Sequence, residues 1–339
     1  MSKVAPSSIA EVVALIRDAR HDQQPLWFMG SGSTETPSDH LTVSTEKLAG
    51  IVDYQPDDLT VVVRAGTTLS ELDDILAKHG QSAVLPETTP DRTVGGVVAS
   101  GASGYRRHRY GPTSNRVIGA TIVTGYEEVV HAGGQLVKNV TGFDLPRLVT
   151  GSYGSLGFIA EISLKLWPTP SAQRTERVED VGSARTRTYQ PIAALETETG
   201  GLLYTSDPGA STLEGPVTEE FTWPDPIDER VVVAVNVPAR LVAEAITRLG
   251  DSGATRFVAQ HGVGVIDVGW ADIDEAQIVE LRAWTEAGGG SLVIHRRGPL
   301  SETLSRWGGT PASLDIQFRL KELFDPDRIC NPGVLPGGV

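Results

Sequence analysis

The chain has 339 residues, 40% hydrophobic and 21% charged, which fits a globular protein of about two domains and excludes global disorder. Its 29 basic and 43 acidic residues leave a net charge of −14, a field that repels phosphate backbones and argues against a nucleic-acid partner. The single cysteine, Cys330, excludes an internal disulfide, a zinc cluster or an iron–sulfur cluster built by this chain alone.

Ser8-Ile9-Ala10-Glu11 reads as a capping box, and Ile9, Val12, Val13 and Ile16 continue at helical spacing. Met1 to Gln24 lacks the apolar core of a signal peptide, and no run reaches the ~18 apolar residues of a membrane span. A cytoplasmic location, or peripheral attachment through a partner, is expected. Leu26 to Met29 is a short apolar strand running directly into Gly30-Ser31-Gly32-Ser33-Thr34. Leu41 to Ser44 and Thr60 to Arg64 read as further strands. Thr68-Leu69-Ser70-Glu71 is a second capping box; Leu69, Leu72, Ile75 and Leu76 form its apolar stripe, and Gly80 stops the helix. Pro86 to Gly104 is expected to be a long ordered loop with a short helix at Val94 to Ser100. Val117 to Thr124 and Glu128 to Ala132 form a hairpin, Leu145 to Thr150 a short helix, and Phe158 to Leu166 an alternating strand.

Trp167-Pro168-Thr169-Pro170 breaks the chain and marks a domain boundary. Pro208 to Pro226 is loop-like. Arg230 to Val237, Leu241 to Leu249, Phe257 to Ala259, Val263 to Val268, Asp274 to Ala287 and Ser291 to His295 then give the order β-α-β-β-α-β. That order implies a ferredoxin-like antiparallel sheet.

The chain holds 37 glycines, about 11% against a usual ~7%, and the excess lies between Gly30 and Gly157. Gly30 to Thr34 follows a strand and presents successive backbone N–H groups, a geometry suited to phosphate oxygens. It is not a Walker loop, and Glu35 stands where the dinucleotide fingerprint needs its third glycine. Taken singly it reads equally well as a tight surface turn. Thr93-Val94-Gly95-Gly96-Val97-Val98-Ala99-Ser100-Gly101 allows a backbone to approach a flat or charged ligand, or a helix to pack closely. Gly151-Ser152-Tyr153-Gly154-Ser155-Leu156-Gly157 is an irregular turn or a third ligand loop. Together the three imply a large ligand such as a dinucleotide.

These segments resemble the FAD-binding domain of the vanillyl-alcohol oxidase and p-cresol methylhydroxylase (PCMH) superfamily. The resemblance also rests on Val63-Arg64-Ala65-Gly66, Pro86, Arg109-Tyr110-Gly111, Lys138 to Leu145, the strand Ile159 to Leu166, and Phe324-Asp325-Pro326-Asp327-Arg328-Ile329-Cys330-Asn331-Pro332-Gly333. Within the superfamily, Lys138 to Asp144 and Arg147 to Gly154 are particularly similar to FAD-binding subunits of glycolate oxidases. The fold implied is α+β: a PCMH-type two-subdomain FAD-binding domain over 1–170, a ferredoxin-like antiparallel α+β cap domain over 171–320, and a segment over 321–339 returning to the FAD domain.

By the same resemblance the backbone of Gly30, Ser31, Gly32, Ser33 and Thr34 cradles the FAD pyrophosphate. Pro86 to Thr89 and Thr93, Gly95 and Gly96 run beside pyrophosphate and flavin. Ser100, Gly101 and Ser103 lie near the isoalloxazine, and Gly151, Gly157 and Ile159 flank the adenosine half. No histidine lies in the first loop, so noncovalent FAD is expected. Paralogues that oxidise D-2-hydroxy acids carry a His-x-Gly-Asp-Gly-Asn-x-His metal motif. Here His261 remains within Gln260 to Val268, but Val268 takes the second histidine position, so no metal site is expected. His261 then reads as a structural or pocket histidine, and His21, His40 and His79 as solvated. His131 falls in the hairpin. The basic run Arg106-Arg107-His108-Arg109 serves either a flavin or anionic substrate or a surface patch, and His295-Arg296-Arg297 shares that ambiguity.

Three functions stay open. The chain is an FAD subunit in oxidation of glycolate or a related D-2-hydroxy acid, working with a catalytic flavin paralogue and an iron–sulfur subunit. Alternatively it is a stand-alone FAD oxidase or dehydrogenase of another small substrate, or a scaffold with a vestigial flavin site.

Overall fold

The structure is a computed structural model describing residues 3–32, 37, 39–134, 144–206 and 221–339. Ser33 and Thr34, the segment 138–143 of the resemblance, and most of the loop-like stretch 208–226 lie outside the described residues. The chain divides into two compact units. One comprises Met1–Gly104, Pro112–Thr169 and Thr310–Val339; the other comprises Tyr105–Gly111 and Pro170–Gly309.

The elements run in chain order as follows. β1 (Lys3–Val4), α1 (Ile9–His21), β2 (Leu26–Met29) and β3 (Leu41–Ser44) open the chain. β4 (Ile51–Gln55), β5 (Thr60–Arg64), α2 (Leu69–Ala77), β6 (Gln81–Ser82) and α3 (Val94–Ser100) follow. Next come α4 (Arg107–Tyr110), β7 (Val117–Val123), β8 (Val129–Gly133), α5 (Leu145–Val149), β9 (Phe158–Lys165) and β10 (Trp167–Pro168). The later part holds β11 (Gln173–Val178), α6 (Val181–Arg187), β12 (Ala193–Thr197) and β13 (Gly200–Ser206), then β14 (Val231–Asn236), α7 (Val242–Asp251), β15 (Arg256–Gln260) and β16 (Val265–Trp270). α8 (Glu275–Ala287), β17 (Ser291–Arg296) and α9 (Leu314–Phe324) complete it.

The first unit has two principal sheets. β1, β3 and β2 form a parallel sheet with β3 central. α1 lies over it, capped by the Ser8 hydroxyl, which accepts from the Glu11 N–H. Val12, Ile16, Leu26, Val43 and Ile329 share that core. The second sheet is antiparallel in the order β4-β5-β9-β7-β8. α2, α3 and α5 bury Leu72, Leu76, Val94, Val97 and Val149 against Val61, Val63, Ile162 and Leu164. Thr68 and Glu71 close the full capping box of α2.

Strict alternation along β9 does not hold. Thr121 pairs with Glu161 and Ile122 with Ile159, so the register shifts past Ala160. Such a bulge inserts one residue and re-aims its neighbour. Ile159 therefore shares a core with Ile162 and Leu164, whereas Phe158 and Ala160 face the other core. His40 also departs from expectation. Its side chain is 10% exposed, and its ring meets Trp27 edge-on at 5.9 Å.

The second unit is one seven-stranded sheet in the order β11-β13-β12-β15-β16-β14-β17, with every pairing antiparallel. β14-α7-β15-β16-α8-β17 is the expected ferredoxin-like unit, with strands in the order β15-β16-β14-β17. The extension was not legible in sequence. β11-α6-β12-β13 repeats the first four elements of the same pattern, and the two halves join where β12 pairs with β15. β12 is buried through Ala193, Ala194 and Leu195, so it shows no two-residue alternation to read.

Candidate functional site

The site in the first unit starts where β2 ends. Its strand hydrogen bonds stop at Met29, whose carbonyl accepts from the Thr45 N–H. Gly30, Ser31 and Gly32 then turn away and line a cleft. A Cβ on Gly30 would collide with the Thr93 hydroxyl, so only glycine lets the turn close on the start of α3. Thr93 uses that hydroxyl to cap α3, accepting from the Gly96 N–H at 3.1 Å.

α3 is seated by its own glycine. A Cβ on Gly95 would stand 2.6 Å from the Ala65 Cβ and 2.8 Å from its carbonyl oxygen. Close helix packing therefore applies to Gly95, which also lines one cleft, while Gly96 lines both. At the far end of α3, Gly101 takes the left-handed cap with φ 65°. The loop Gly151–Gly157 docks there: the Gly151 N–H donates to Val98 O and the Tyr153 N–H to Ala99 O.

Asn331 links this loop to β2. Its Oδ1 accepts from the Phe28 N–H at 2.6 Å, and its Nδ2 donates to Tyr153 O at 2.7 Å. Behind it, Lys321 Nζ donates to the carbonyls of Ser155 and Cys330 and pairs with Asp325 at 2.9 Å. Asp325 in turn accepts from the N–H groups of Ile329 and Cys330. The chain end thus pins the third glycine loop and the edge of β2 together. Burial, with Asp325 beside it, raises the Cys330 thiol well above its ordinary value, so this cysteine is an inert packing group.

Two adjoining clefts result. One is lined by Phe28, Gly30, Thr45, Ala65, Gly95, Gly96, Tyr153, Gly157 and Ile159, among others. The other is lined by Gly30, Ser31, Gly32, Arg92, Gly96, Ser100, Tyr153 and Asn331, among others. The β9 bulge is what delivers Ile159 to the wall. Of the sequence-predicted residues, Gly30, Ser31, Gly32, Gly95, Gly96, Ser100, Gly157 and Ile159 line this space. Thr93, Gly101 and Gly151 build its frame. Pro86 and Ser103 are not among the lining residues. The Ser103 hydroxyl accepts from the Thr113 N–H at 3.0 Å. Sequence reasoning missed Arg92, Tyr153 and Asn331 as wall residues; the one available signal was a cation placed directly before a glycine stretch.

The expected basic run lies in the second unit. Arg107 stands beside Asp267, whose carboxyl is pushed up to about 6 by burial against the opposing effect of that guanidinium. The His108 ring is lowered from its ordinary value by burial and by Arg185, and it donates to the His261 carbonyl. Arg109 donates to the Ser206 hydroxyl at 2.7 Å. His261 Nε2 meets Glu196 Oε2 at 2.7 Å, which makes it a structural partner of β12. Among the described residues no His, Cys, Asp and Glu cluster suits a metal ion.

The first unit's geometry fits FAD. Glycine backbone forms the floor, exposed N–H groups stand at the strand end, apolar residues form one wall, and a cation sits in the other.

A family model described as an FAD binding domain matches residues 2–133. Over 171 residues the chain is 38% identical to glycolate oxidase subunit GlcE of Escherichia coli (strain K12), covering 48% of each. It is 31% identical over 170 residues to D-lactate dehydrogenase of Archaeoglobus fulgidus, covering 49% of this chain and 38% of that protein. The matched region thus spans about half or less of these relatives. In three dimensions the chain resembles an alkyldihydroxyacetonephosphate synthase with a TM-score of 0.66 at 16% identity, covering 97% of this chain and 75% of that one, a likeness of fold. No helix among the described residues is long and apolar enough to cross a membrane. Residues 2–133, which supply β2, its glycine turn and the glycine-seated α3, therefore match the FAD-binding domain family, and FAD is the cofactor of this chain.

Proposed function

We propose that the chain is an FAD-carrying oxidoreductase subunit acting in oxidation of glycolate or a related D-2-hydroxy acid, with a catalytic flavin paralogue and an iron–sulfur subunit as partners. The observation carrying this reading is the cleft built from three glycine segments, together with the likeness to a glycolate oxidase subunit. Bound FAD would accept two electrons as hydride and return them singly, linking hydride chemistry to iron–sulfur carriers.

In this reading the backbone of Gly30 to Thr34 holds the pyrophosphate. Pro86, Thr93, Gly95 and Gly96 run beside pyrophosphate and flavin. Ser100, Gly101 and Ser103 lie by the isoalloxazine, and Gly151, Gly157 and Ile159 flank the adenosine half. No histidine stands in the first loop to form a covalent link, so FAD is held noncovalently. Division of labour is favoured by three features. Val268 replaces the second metal-motif histidine, and His261 is engaged by Glu196. One cysteine also leaves iron–sulfur chemistry to another chain.

The test is an absorption spectrum of the purified chain, then anaerobic glycolate or D-lactate. The expected result is a flavin band that stays oxidised until the partner subunits are added. Bleaching by substrate alone would instead establish a self-sufficient dehydrogenase, and a colourless chain that FAD cannot reconstitute would leave the scaffold reading.

A further inference from the structure

Among the described residues, the cleft beside Gly30–Gly32 has a single charged lining group, Arg92. Its position is set from both sides in sequence: the Arg92 N–H donates to Thr89 O, and its carbonyl accepts from the Leu69 N–H. The side chain is half-buried. Nη2 donates to the Ser100 hydroxyl at 2.8 Å and reaches Gly96 O at 3.4 Å, so the fork is aimed along α3. Among the described residues no acceptor takes Nε or Nη1, and no carboxylate forms an ion pair with the group.

A guanidinium is drawn out of water here with no anion of its own among the described residues. Burial pulls it below its ordinary value, with Tyr153 partly opposing. Half-buried cations are retained when a partner completes them. Arg92 lines the same cleft as the exposed turn at Ser31 and Gly32. A planar fork opposite backbone N–H groups matches the oxygens of a diphosphate.

We propose that Arg92 is a binding residue for the pyrophosphate of FAD, clamping it against the Gly30–Gly32 turn, with Ser100 orienting the guanidinium. This rests on the cofactor and not on the substrate assigned above, so it stands or falls independently of glycolate oxidation.

The experiment titrates apo-protein with FAD, following flavin fluorescence, and separately with ADP as a flavin-free diphosphate probe. Arg92→Met is expected to weaken FAD and ADP by the same factor, about 10- to 100-fold as for a charge-assisted hydrogen bond. It should also flatten the salt dependence of both. Arg92→Lys keeps the charge without the fork and is expected to lie between wild type and Arg92→Met. Unchanged affinity in either variant overturns the assignment. So does a loss for FAD with ADP binding intact, which would place the guanidinium at the flavin end. Far-UV circular dichroism of each apo-variant guards against misfolding; if Arg92→Met fails to fold, the Arg92→Lys titration decides.

Discussion

Gly95 and Ala65 carry a lesson about what a glycine in a ligand-binding loop is for. A Cβ on Gly95 would stand 2.6 Å from the Ala65 Cβ, so its absence makes room for Ala65 even though Gly95 also lines the cleft. Gly95→Val is therefore expected to destabilise the apo-protein by about 1–3 kcal/mol through overpacking. FAD retention falls as a consequence. A urea midpoint of the apo-variant equal to wild type would return the effect to the ligand. Asp267 makes a second case. Burial lifts its carboxyl to about 6, above the ~3.9 of an unfolded chain. The native state thus binds the proton more tightly, and the resulting stability is complete below about pH 4 and is lost as pH rises to about 6. The amount is roughly 1–3 kcal/mol. Urea denaturation across pH 4 to 7 is expected to show this loss in wild type and to show it flattened in Asp267→Asn.

At the scale of elements, α9 and the tail that follows it act as a clasp. Lys321 is 2% exposed and Asp325 fully buried, and between them they meet four backbone groups of the third glycine loop and the chain end. Removing one partner strands the other charge away from water. Lys321→Met is expected to cost about 3–5 kcal/mol at pH 7, with the double variant Lys321→Met/Asp325→Asn recovering part of it. Chemical denaturation of the single and double variants checks both. Asn331 belongs to the same clasp. It was legible only as part of a closing motif, because its two hydrogen bonds reach residues 303 and 178 positions away.

Across the whole molecule, the first unit has its own apolar cores around α1 and around α2 and α3, and the second has cores around α7 and α8 and around Tyr204. The cleft proposed for FAD is lined by residues of the first. Saturating FAD at about 100 times its Kd is expected to stabilise that unit by about 2.7 kcal/mol. In scanning calorimetry the first unit's transition should shift while that of the second stays in place; a uniform shift of all the heat absorption would mean the units unfold together. The sequence by itself determined the capping boxes, the strand-to-glycine junction at Met29–Gly30, the ferredoxin-like order after Arg230 and the likeness to FAD-binding domains, because these are carried by local spacing and by residue types needed at one point. Tertiary structure alone decided the rest. The β9 bulge turned Ile159 to the cleft, the buried β12 joined two half-sheets into one of seven strands, and Arg92 and Asn331 were brought to the wall from distant or unremarked positions. Those outcomes depend on which long-range partner satisfies each backbone group and fills each space, and a one-dimensional pattern does not hold that information.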